Sequence, residues 1–569
     1  MSEHTLHYGD ISWTMPVADK NLAAVLESNP VSLPVMEPDQ AVREALRHPI
    51  GSPCLKDIVN PGEKICLLVP DVTRLWQSPA VYVHVMVEEL NACGIPDSDI
   101  LIVTATGTHR AHMGDEQARL LGEDICRRIR VIDHDCRDTA HLVHVGDTSR
   151  GTPVWFNSYA MACDKIIITC GVVYHFLAGF GGGGKMLLPG IAGYETIQRH
   201  HKQALNPGFG NGTNADVRSA NMADTNIFHA DIFEAAAMAR PCFGLNVVVN
   251  DDYRIIKAFA GDWVQSHAAA CRLVDSMEGV TIPERTSLVV ASAGGYPKDI
   301  NLYQTIKLLS NALSAVQPGG TMILLSRCSE GFGNPDVETQ ICAYSDMQAR
   351  EKALRDTFSI GSYVGFLFAE AAEKHNLILV TDMDAALFGK TKMHVCHSLD
   401  EALDKARHFL GQELDVRTII MPHGASTLPR RRSPPGQAGA GTFGYPRRLK
   451  PGPRRMRCPY ASCVIRQGSS GRGAASRRRA LFLCGKGGSG RAASCEKRRR
   501  RSGLRIQKSR QPRIGADFGK LPVLAQACDF LQLFQNVVKY LQKVCVDSWG
   551  TFCHLERAEA LLRASSGIP

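Results

Sequence analysis

Short apolar runs and longer helical stretches alternate along most of the chain. Residues 1–60 are turn-rich, with one helix expected over 40–47 and a turn over 49–53. The first apolar run, at 65–69, leads into Asp71-Val72-Thr73-Arg74. A helical segment over 80–93 follows, and the run at 100–103 ends in Thr106-Gly107-Thr108-His109-Arg110. A third run at 131–132, after a helical segment over 115–121, leads into Asp133-His134-Asp135. The fourth, at 165–173, ends at His175 and a loop reading HFLAGFGGGGK over 175–185. After a less regular stretch over 202–262, a second block has apolar runs at 287–292, 322–326, 377–381 and 418–421. Helical patterns over 303–316 and 346–358 separate them. This alternation predicts βαβ units and mostly parallel sheets, an α/β fold. We expect an N-terminal α/β domain over 1–270, a C-terminal one over 271–429, and a cleft between them that holds the site.

Parallel sheets bind ligands outside the carboxyl ends of their strands. Asp71, Arg74, His109, His175 and Lys185 all fall there. Taken singly, each has a plain structural explanation: an ion pair for Asp71 and Arg74, a helix cap for His109, a surface position for His134, a solvated side chain on a flexible glycine turn for Lys185. Taken together, they supply two acid/base groups, an anion clamp and a lysine brought close to a ligand by Gly181–Gly184, whose missing side chains let the backbone approach. A histidine pair, His200 and His201, adds metal-ligating capacity, and adjacent helical residues point about 100° apart, so the two do not easily ligate together.

The net charge of +9 hides two opposite populations. Residues 430–513 carry 25 Lys/Arg and a single acid, Glu496, whereas the remainder carries 40 basic and 55 acidic side chains. The globular part is therefore mildly acidic, which gives no reason to expect nucleic acid there. The segment over 430–520 is rich in Arg, Gly, Ser and Pro without apolar periodicity, a composition expected to be disordered or non-native. An out-of-frame reading of a GC-rich gene fits it better than a nucleic-acid-binding arm does. A short amphipathic helix is expected within 521–569. The 19 cysteines show no CxxC pair, the N-terminus has no signal-peptide pattern, and no apolar run reaches membrane-spanning length, so a cytoplasmic protein without membrane contact is expected.

Several motifs then stand in a fixed order: DVTR (71–74), GTHR (107–110), HFLAGFGGGGK (175–185), PGIAGYETI (189–197) with His201, GGYPKDINLYQ (294–304), CSEGFG (328–333) and MPHGASTLP (421–429). This set resembles the nickel-pincer lactate racemase family over roughly residues 8–429. The resemblance implies an isomerase, a racemase or epimerase that inverts C2 of a 2-hydroxy acid such as lactate. It further implies a cofactor, pyridinium-3-thioamide-5-thiocarboxylic acid mononucleotide, attached through Lys185, with Asp71, Gly181 and Gly182 beside it. Nickel would be held by two cofactor sulfurs, a ring carbon and His201. His109 and His175 would act as general acid and base on opposite faces of the substrate, and Arg74 and Lys298 would hold its carboxylate. Cofactor biosynthesis enzymes are the implied partners. Two other functions stay open on the residues alone: a nicotinamide-dependent oxidoreductase, for which Lys185 and the Pro189-Gly190 continuation fit poorly, and a nucleic-acid-binding regulator acting through the basic tail.

Overall fold

The computed structural model describes residues 1–250, 252–412 and 414–431. The expected basic tail over 430–520 lies outside the described residues beyond 431, as does the helix expected within 521–569. Twelve strands build two sheets: β1 (Leu22–Val25), β2 (Ile65–Val69), β3 (Ile100–Thr104), β4 (Arg130–Asp133), β5 (Lys165–Gly171), β6 (Phe243–Val249), β7 (Ile255–Gly261), β8 (Thr286–Ser292), β9 (Val316–Leu325), β10 (Asn376–Val380), β11 (His394–Cys396) and β12 (Thr418–Met421). The first sheet runs β7-β6-β5-β2-β3-β4, parallel except for the antiparallel β6/β7 pair. The second runs β11-β10-β9-β8-β12-β1 and is wholly parallel. The α/β expectation holds.

Strands buried on both faces read as unbroken apolar runs. In β2, Cys66 and Leu68 enter one core while Ile65, Leu67 and Val69 enter another across the sheet. In β8, Val289 and Ala291 face one core and Leu288 and Val290 the other. Phe176, next to His175, packs against a core of each lobe and so ties the two together.

Three features depart from the expected layout. Residues 2–25, assigned by sequence to the first domain, form a hairpin (Ser2–Tyr8 with Ile11–Val17) packed on the second sheet's core, and β1 extends that sheet. The expected boundary at 270 falls inside an unbroken helix, Trp263–Glu278. The stretch over 202–262, expected to be less regular, carries the helix Ile227–Met238 and the β6/β7 hairpin that completes the first sheet.

Each sheet has one point where the chain reverses its direction of growth. In the first, β2, β3 and β4 build outward before the chain returns to place β5 on the other side of β2. In the second, β8 to β11 build outward before β12 lands on the other side of β8. Loops diverge at such switch points and leave a crevice for a ligand.

Candidate active site

The loop after β2 carries Asp71 and then a short 3-10 helix, Val72–Gln77. Asp71 is buried, with one carboxylate oxygen accepting from His109 Nδ1 at 2.5 Å and the other from Thr73 Oγ1 at 2.6 Å. Burial pushes this carboxyl upward, but the His109 and Thr73 hydrogen bonds and the Arg74 charge outweigh it and hold the pKa below the usual carboxylate value. With Nδ1–H on Asp71, the neutral His109 ring keeps a bare Nε2. Its side chain is 49% exposed, so this nitrogen is open to a reactant. Arg74 donates to the Thr73 carbonyl and hydroxyl at 3.2 and 3.0 Å, which orients the guanidinium without neutralising it.

The loop after β5 is not the flexible turn that glycine composition alone permits. Gly182 and Gly183 adopt φ of +75° and +54°. A Cβ on Gly182 would stand 2.9 Å from Cys170 Sγ, and one on Gly183 2.7 Å from the His267 ring. Gly181 accepts from His267 Nε2 at 2.8 Å through its carbonyl. The run is glycine because it is pressed between β5 and the helix Trp263–Glu278, and that pressure presents Lys185 in a fixed place. Lys185 is half-buried. Burial, reinforced by the Arg74 charge, pulls its pKa down to about 7, which leaves a large neutral and nucleophilic fraction near neutrality.

His175, half-buried before the glycines, is arranged differently from His109. Its Nδ1 accepts from the Leu177 and Ala178 backbone N–H groups at 3.2 and 3.1 Å, so the neutral ring carries its proton on Nε2. Burial, then the Lys185, Arg74, His201 and Lys307 charges, hold its pKa well below the ordinary histidine value.

The adjacent histidines on the helix Tyr194–His201 are both buried but are not equivalent. His200 is held at both nitrogens, by the Phe228 carbonyl on Nε2 at 2.9 Å and by His201 on Nδ1 at 3.2 Å. His201 donates Nδ1–H to the Ile197 carbonyl at 2.9 Å, and its Nε2 has no partner among the described residues. An imidazole whose Nδ1 is fixed by a carbonyl presents Nε2 as a ligand. No three His, Cys, Asp or Glu side chains among the described residues come together to hold a metal. His201 Nε2 can offer a metal one protein ligand.

In the second lobe, Lys298 lies beyond β8 and Ser426 beyond β12, the two strands that flank the switch point. Lys298 Nζ donates to Ser426 Oγ at 3.0 Å across it. The helix Leu302–Ala315 follows; its Lys307 is exposed and bonded to Gln304 Oε1 at 3.1 Å, and desolvation of its amine, with the Arg74 and Lys298 charges, lowers its pKa to about 8. Arg74, Lys185, Lys298 and Lys307 therefore share one field, to which His175 also responds. A cation cluster of this kind can take an anion.

All the expected loop residues lie at strand ends, and Arg74 electrostatically links Lys185, His175 and Lys307. His134, expected at the surface, is instead buried, bonded to the Ala192 carbonyl and the Asn157 amide. Sequence reading missed Thr73, His112, Lys307 and Ser426. The signal for Lys307 was its spacing of one turn from Tyr303 at the start of a helix that follows a strand end.

Family models described as the lactate racemase N-terminal and C-terminal domains match residues 8–212 and 282–428. Lactate racemase of Lactiplantibacillus plantarum is 30% identical over 434 residues, covering 74% of this chain and 98% of that protein. Lactate racemase of Thermoanaerobacterium thermosaccharolyticum is 28% identical over 440 residues, covering 76% and 100%. The structure of the apoprotein from the same organism superposes with a TM-score of 0.68 at 27% identity, covering 75% of this chain and all of that one.

Proposed function

The chain belongs to the lactate racemase family, and on that premise we propose that it inverts C2 of lactate or a closely related 2-hydroxy acid. The observation that carries this reading is two imidazoles, one held as a proton acceptor and one as a donor, at strand ends beside a cation cluster that fits a carboxylate. Arg74 and Lys298 bind that carboxylate, the first as a planar fork and the second as a point charge held by Ser426. His109 removes the hydroxyl proton at Nε2, while Asp71 holds Nδ1–H and offsets the charge that develops on the ring. His175 donates Nε2–H toward the hydroxyl oxygen on the other face.

Lys185 and His201 fit the family's nickel-pincer nucleotide: a low-pKa amine for the covalent link, and a bare imidazole nitrogen for the metal. When bound, that group would supply a hydride acceptor for the hydrogen on C2.

The test is the full chain co-produced with the enzymes that build the cofactor. Intact mass should show a covalent addition lost in Lys185→Ala, and single enantiomers of a panel of 2-hydroxy acids should racemise. Nickel should be lost in His201→Ala and retained in His200→Ala. The reverse pattern, or an unmodified chain with full activity, overturns the assignment.

A further inference from the structure

His112 lies three residues beyond His109 on the same loop, and its side chain is only 3% exposed. Its ring is held from both sides. Nδ1 bonds Asp133 Oδ1 at 2.7 Å, and Nε2 accepts from the Val72 backbone N–H at 2.9 Å. Its own backbone N–H donates to the other Asp133 oxygen at 2.7 Å. Asp133 ends β4 and is itself fixed by Thr104 Oγ1 at 2.6 Å and Gln117 Nε2 at 2.9 Å.

Val72 follows Asp71 and lies two residues before Arg74. The loop after β3 therefore grips the loop after β2 at adjacent residues, through His109 on the Asp71 carboxylate and through His112 on the Val72 amide. One imidazole stitches three consecutive strand ends, β4, β3 and β2. An acceptor is required at Nε2, because a proton there would confront the Val72 N–H donor, and that fixes the neutral Nδ1–H form. The Asp133 hydrogen bond raises the His112 pKa, but the ring's surroundings accept a second proton only by giving up the Val72 bond.

We propose that His112 is a positioning residue, a neutral imidazole pin that sets the Asp71–Arg74 loop against the loop bearing His109 and so fixes the geometry between the proton acceptor and the carboxylate anchor. This inference rests on the racemase reading for its kinetic consequence, though not for the pin itself. Small misplacements of reacting groups cost on the order of 10²-fold in rate. His112→Phe keeps the ring volume and removes both nitrogens, and it should slow inversion of a 2-hydroxy acid by about 10²-fold. Nickel content and the mass at Lys185 should stay unchanged. His112→Gln places Oε1 where Nε2 accepts, and it should recover most of the loss. Full activity in His112→Phe, or no recovery in His112→Gln, overturns the proposal. Should His112→Phe fail to fold, imidazole ¹⁵N spectra of the apoprotein, assigned by comparison with His112→Gln, carry the test. They should show Nδ1 protonated and Nε2 bare, and a protonated Nε2 overturns the pin. A wild-type chain that racemises none of the acids would defeat the functional reading and leave these spectra to decide the pin alone.

Discussion

His109 and His175 follow β3 and β5, the strands on either side of β2, yet their surroundings are opposite in charge and in hydrogen-bond sense. Behind His109 is a buried carboxylate, Asp71, which accepts Nδ1–H and leaves Nε2 bare. Behind His175 are two backbone amides, which donate to Nδ1 and put the proton on Nε2, and around it are Lys185, Arg74 and Lys307. One ring is preset to accept a proton and the other to donate one. In the inversion proposed above these roles must exchange between the two enantiomers, so the resting tautomers match one of them. Enantiomers have equal free energy, and kcat/KM must therefore be the same in both directions. The asymmetry can show only in how that ratio divides between kcat and KM, with the acid matched to the resting tautomers having the lower KM.

The strongest way to break this comparison is to remove the charge behind His109. Asp71→Asn should lower kcat/KM by about 10²–10⁴-fold, the range of a general acid–base contribution, and equally from both enantiomers. A loss in one direction only would contradict racemisation altogether. Next, Arg74→Ala removes the guanidinium from the His175 side. We expect a loss of about 10–100-fold in kcat/KM from the missing carboxylate anchor. Arg74 also helps to pull Lys185 down to about pKa 7. Labelling of the apoprotein with an amine-reactive reagent, followed by mass spectrometry, should give a Lys185 midpoint near pH 7 in the wild type. In Arg74→Ala the midpoint should move upward, because a nearby cation disfavours the protonated amine and its removal restores that form.

The smallest expected effect belongs to Lys307, an exposed residue. Lys307→Met should raise KM for a 2-hydroxy acid by about 2–10-fold, as expected for one screened charge. With its pKa lowered to about 8, Lys307 is a cation below that pH and neutral above it. Wild-type KM should therefore rise as pH passes through that region, and Lys307→Met should lose that component of the rise. An unchanged pH profile would remove Lys307 from the anion field.

The same contrast explains what could be read from the sequence. The βαβ alternation was legible because strands such as 65–69 are buried on both faces and carry no polar interruption. The β6/β7 hairpin was hidden because its turn is polar and irregular, closed by Asn250 Oδ1 accepting from the Arg254 amide. The hairpin over 2–17 was hidden because its alternation is half exposed and its partner core lies almost 300 residues downstream. In the site, strand-end position marked Asp71, Arg74, His109, His175 and Lys185. Composition could not tell whether the glycine run was loose or compressed, which depends on Cys170 and His267 packing against it. Motif spacing alone picked out His201 over His200, and the physical distinction lies in which carbonyl each ring meets, Phe228 or Ile197. His112 and Ser426 could not be singled out for a related reason: each acts through contacts with loops distant in sequence.

The reaction proposed is inversion at C2 in which His109 and His175 exchange the hydroxyl proton while the hydrogen on C2 would move as hydride to the bound cofactor and back. The most direct measurement is proton NMR of a single enantiomer of lactate, incubated in deuterium oxide with cofactor-loaded protein, alongside its optical purity. Optical purity should fall to zero while the C2 hydrogen is retained. Retained configuration, or deuterium entering C2 as fast as configuration is lost, would contradict it.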